Sequence, residues 1–145
     1  MTRLSADEAI RLPIPSDHDV QQRVANLLDC AIRRQWWTFY LDENDVQFPL
    51  IMPMAGYPES PHEPEPEFGT AVALMANRLS MIVREIDAAK LVFVWERPGP
   101  AATTPDDRVW ARELGEACRA EGVAVRAQLI LHDDGVRWFA PDDYA

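Results

Sequence analysis

Apolar residues recur along this chain with two different periods, and the change of period divides it into elements. Val20, Val24, Leu27, Leu28, Ala31 and Ile32 fall at helical spacing, which predicts a helix over 17–34. Ser16 is its expected N-cap, with Asp19 at the capping-box position and Arg33 and Arg34 at the negative end of the helix dipole. Val72, Met75, Leu79, Ile82 and Ile86 form a second helical stripe within 69–88. Trp110, Leu114, Ala117 and Cys118 form a third. Thr104 opens this helix, with Pro105 at N1 and Asp107 at N3, and Gly122 stops it.

Between these helices the pattern shortens to strand period. Residues 36–41 and 46–52, separated by the turn cluster Asp42-Glu43-Asn44-Asp45, predict a hairpin. Pro49 and Pro53 lack an N–H, which puts the second of these strands at a sheet edge. Residues 91–95 are continuously apolar, the mark of a strand buried on both faces. Residues 123–131 and 136–140 flank Asp133-Asp134-Gly135, a hairpin turn. The order α-β-β-α-β-α-β-β predicts an α/β fold, a three-layer-like α/β sandwich on a mixed β-sheet. Residues 1–15 read as an N-terminal arm, 16–140 as a single domain and 141–145 as a frayed tail.

Composition narrows the function classes. A net charge of −10 repels phosphate backbones and argues against nucleic-acid binding. Thirteen of the fourteen basic residues are Arg, a skew that points to a GC-rich bacterial genome rather than to a function. No apolar run reaches the roughly 18–20 residues that span a bilayer. The first eight residues lack the layout of a signal peptide. A cytoplasmic protein away from membranes is therefore expected. Residues 55–67 hold four Pro and four Glu, which predicts a stiff, exposed acidic connector.

Candidate chemistry is sparse. Cys30 and Cys118 occupy apolar helical positions without a paired His, so both read as reduced small hydrophobes. His18, His62 and His132 share no ligand spacing and read as exposed loop residues. Gly99 stands alone in its loop, so no phosphate cradle is formed. Trp36 and Trp37 must point to opposite faces of a strand, one into the core and the other a candidate interface anchor.

One stretch carries a resemblance. An apolar strand runs into Trp95-Glu96-Arg97-Pro98-Gly99. After a loop comes Thr104-Pro105-Asp106-Asp107, then Leu114, Glu116, Ala117 and Gly122, a strand and a closing hairpin. This order resembles the JAB/MPN metallohydrolase family and its RadC-like branch, with the loop one residue shorter. Upstream, 39–44 is similar to the family's strand and turn. The resemblance implies a JAB/MPN (cytidine-deaminase-like) architecture over about 36–140. In that family two His and an Asp hold zinc, and a Glu takes the proton of the bound water. Here the two His positions fall on Trp95 and Arg97, Asp107 stands at the Asp, and Glu43 is the one counterpart for the Glu.

An indole offers no in-plane lone pair and a guanidinium is a permanent cation, so both oppose a divalent metal. The expectation is therefore a non-catalytic, RadC-like domain with no metal and no cofactor, serving as a protein-interaction or regulatory module, or pairing with itself. Its candidate degenerate site is Trp95, Arg97, Thr104 and Asp107, with an Arg97–Asp107 ion pair in place of the metal. Thr104 and Asp107 serve equally well as plain helix caps. A second reading is a hydrolase with a relocated site built from Glu96, Asp106, Asp107 and His132. A third is a small-anion site on Arg97, walled by Trp95, at the end of the 91–95 strand.

Overall fold

Seven consecutive residues with almost no polar break, Lys90–Glu96, form β5, and such a strand is stable only where both of its faces are covered. In the computed structural model, which describes Glu8 and residues 10–144, β5 is the centre of a five-stranded sheet. With α1 (Asp17–Leu28), β1 (Gln35–Leu41), β2 (Gln47–Ala55), α2 (Ala71–Ile86), α3 (Pro105–Ala120), β6 (Val125–His132) and β7 (Gly135–Phe139), the strand order is β2-β1-β5-β6-β7. The sheet is mixed: β5 and β6 are parallel across the α3 crossover, and every other neighbouring pair is antiparallel. A short hairpin, β3 (Pro64–Glu65) with β4 (Gly69–Thr70), and a short helix α4 (Pro141–Tyr144) are also formed.

Strand period two sorts the side chains into two cores. Trp36, Tyr40, Leu91, Phe93, Trp95 and Ile130 face α2 and α3 and pack on Met75, Leu79, Trp110 and Leu114. Phe39, Leu41, Val92, Val94, Leu129 and Leu131 face the other way, onto Val20 and Val24 of α1 and onto Ile14. The molecule is a small α/β domain in which, among the described residues, α1 covers one face of the sheet and α2 and α3 cover the other.

Several expectations are corrected. Helix α1 stops at Leu28 because Asp29 takes a positive φ of 64°, so Arg33 and Arg34 lie beyond it and cannot serve its dipole. Cys30 is consequently outside the helix and half-buried, while Cys118 is fully buried; both thiols are free. His132 is a buried residue at the end of β6, not an exposed turn residue; its Nδ1 accepts from the Asp134 amide at 3.3 Å. Residues 141–144 are helical rather than frayed, with Tyr144 edge-on to Phe139 at 4.9 Å. The 55–67 connector is not uniformly exposed, because Tyr57 is buried among core aromatics and 64–65 pairs with 69–70. The predicted arm falls partly outside the described residues.

Helix α3 ends where its sequence directs. Gly122 at φ 75° supplies the left-handed residue, and the Val123 amide returns to the Cys118 carbonyl at 2.8 Å.

Candidate functional site

The chain leaves β5 at Glu96, and the next residue, Arg97, turns onto the face covered by α3. Helix α3 begins one loop later with a reciprocal capping box. Asp107 N–H donates to Thr104 Oγ1 at 3.1 Å, and Thr104 N–H donates to Asp107 Oδ2 at 2.9 Å. The Asp107 carboxylate is thereby aimed back toward the strand end, where it meets Arg97. Nη2 lies 3.0 Å from Oδ2, and Nε lies 3.3 Å from both oxygens. The side chains are 11% and 3% exposed, so this is a buried ion pair.

Arg97 does more than pair. Nη1 donates to Pro100 O at 2.5 Å and Nη2 to Ala102 O at 2.9 Å. Four of its five N–H groups are engaged, and they bind the 97–104 loop around the guanidinium. A fixed cation with one donor left is a loop organiser, which weighs against the anion-site reading.

Trp95 lies beneath this pair in the α2/α3 core. It stacks on Trp36 at 5.8 Å and meets Tyr57 at 5.2 Å and Trp110 at 5.7 Å. Its indole N–H donates to Gln128 Oε1 at 2.7 Å, and Gln128 Nε2 donates to Ala111 O at 3.0 Å. Trp95 is thus a satisfied core residue beside the pair rather than the wall of an open pocket.

Two residues to which sequence reasoning gave no part in this site complete the neighbourhood. The Arg34 guanidinium sits 3.5 Å from the Tyr57 ring centroid, donates to Tyr57 O and Pro58 O, and lies 3.9 Å from Asp106 Oδ2. Asp106 is pushed up from the usual carboxylate range by burial. Arg34 opposes that shift, and Asp107 and Glu59 reinforce it. Burial likewise raises the Tyr57 phenol to about 12.

The three carboxylates of the relocated-hydrolase reading are not gathered. Asp107 belongs to Arg97 and Asp106 faces Arg34, while Glu96 points to the opposite face of the sheet. There Glu96 is 2% exposed and accepts four hydrogen bonds. Oε2 takes the amides of Ile32 (2.7 Å) and Arg33 (3.1 Å), and Oε1 takes Gln35 Nε2 and Trp37 Nε1, both at 2.8 Å. Burial raises its pKa, but these four donors outweigh burial and hold it below the ordinary value. Of the two adjacent tryptophans, Trp36 packs in the core, and Trp37 is partly buried against the α1 face and tied to Glu96.

Glu43 is in the turn beyond Leu41, and Leu41 pairs with Lys90 at the start of β5. A seven-residue strand spans about 20 Å, so Glu43 and Arg97 are at opposite ends of the sheet. Among the described residues no three His, Cys, Asp or Glu side chains converge to hold a metal ion.

No family model matches the chain. No curated protein matches it either. Two grooves among the described residues are lined by other residues. One lies between α3, β6, β7 and α4, and the other lies between α2 and the β1–β2 hairpin. No described helix is long and apolar enough to cross a membrane.

Proposed function

We propose that this chain is a non-catalytic domain of JAB/MPN-like, RadC-like design, acting in the cytoplasm as a protein-interaction or regulatory module for a protein partner or a second copy of itself. The observation that carries the reading is the Arg97–Asp107 pair. An Asp at N3 of the helix after the strand is directed at the strand end, and a guanidinium stands there in place of an imidazole. These residues do not fit a divalent metal. The carboxylate is already neutralised, and a metal beside Arg97 would meet a fixed positive charge in a buried place. The wide separation of Glu43 from this place supports the same reading, because the counterpart of the family's proton-accepting Glu lies far from the pair.

Elemental analysis of the untagged protein after chelator dialysis tests the proposal. Zinc well below one equivalent per chain is expected, and one tightly held equivalent would overturn it. Mass in solution across a concentration series then separates self-pairing from a foreign partner.

A further inference from the structure

Helices α2 and α3 cover the centre of one sheet face but not its β2 margin, and the strip left open is a groove of about 520 Å³. Its floor is Trp36, Thr38 and Tyr40, three hydrogen-bonding side chains at alternate positions of β1 and so on one face. One wall is Met52 and Met54 of β2, which remain 41% and 38% exposed. The other wall is the α2 stripe that includes Met75 and Leu79. Methionine walls adapt to ligand shape at little cost. The volume falls within the roughly 300–1,000 Å³ usual for small-molecule sites.

Two polar features in this apolar lining lack a partner. Trp36 is only 5% exposed, and its Nε1 is buried with no acceptor. Arg78 is the one charged residue of the lining and makes no ion pair or hydrogen bond among the described residues. On a chain of net charge −10, an unpaired cation beside an apolar groove creates a local preference for an anion.

Peptide occupants fit less well. Pro49 and Pro53 deprive β2 of two N–H groups, which hinders an added strand.

We propose that this groove binds a small amphiphilic monoanion, an elongated apolar body ending in a carboxylate, with its apolar part between the methionine wall and α2 and its charge read by Arg78. The proposal is independent of the non-catalytic reading given above. Decanoate is the probe, decylammonium is its control of opposite charge, and the Trp36 indole N–H signal, assigned with Trp36→Phe, is the readout. Decanoate should shift that signal saturably while decylammonium does not. Arg78→Glu should weaken binding by about fivefold or more, and Met54→Glu should abolish it. Both variants alter exposed side chains and should keep the parental unfolding midpoint. An unmoved Trp36 signal, or equal affinity for the two probes, would overturn the proposal. So would a dimer of the unliganded chain that Met54→Glu converts to monomer, since a second copy would then cover the groove.

Discussion

The Trp95 indole and the Gln128 side-chain amide are 2.7 Å apart in the middle of the core, and each satisfies the other where water does not reach. Gln128 also ties β6 to α3 through Ala111 O. Replacing it with Leu keeps the volume but strands the Trp95 N–H. Gln128→Leu should therefore lose about 1–3 kcal/mol in urea unfolding, with an unchanged denaturant slope.

The Arg97–Asp107 pair should show strong coupling. Removing one partner of a buried pair leaves an uncompensated charge, so Arg97→Met and Asp107→Asn should each cost about 3 kcal/mol. The double variant should cost clearly less than the sum, by at least about 1 kcal/mol, in a denaturation cycle. Additive losses would show that the two groups act separately, Asp107 only as a cap.

Glu96 sets an acid dependence. Its folded pKa is depressed, so its contribution is present above the ordinary carboxylate value of 4.5 and is lost as pH falls through the folded value. Glu96→Gln should be less stable by about 2 kcal/mol at pH 7, because a side-chain amide turns donors toward donors. The gap between variant and parent should narrow below about pH 4. A constant gap across a pH series of unfolding curves would contradict this assignment.

The two thiols should separate by accessibility. Burial, reinforced by Glu121, raises Cys118 to about 12, so it holds almost no thiolate at neutral pH. Iodoacetamide at pH 8 followed by intact-mass analysis should add at most one group to the native protein, at half-buried Cys30. In denaturant it should add two.

Much of the fold was legible because its signals are local. The alternation of 36–41, the unbroken apolar run at 91–95 and the Thr104–Asp107 start each specify an element from a few adjacent residues. The end of α1 was not. Ala31 and Ile32 continue its helical period, yet Glu96, more than sixty positions away, captures the Ile32 and Arg33 amides and pulls that segment out of the helix. The candidate site was legible in part. Charge and position allowed the Arg97–Asp107 pair to be anticipated, whereas the stacking of Arg34 on Tyr57 depends on where the connector folds. Gln128 did leave a mark, a lone amide at an inward position of an apolar strand.

The register of β1 against β5 has a consequence for how the chain reaches this state. The β1–β2 and β6–β7 hairpins close over short loops, and α3 carries β5 to β6 within one local unit. Joining these pieces requires Gln35 to meet Glu96 across 61 positions of chain. Closing so long a loop costs entropy before any contact repays it, so the central seam is expected to form late in folding. Glu96 bonds the side chains of both Gln35 and Trp37 from across that seam, so it acts as the latch that holds the two halves once they have met.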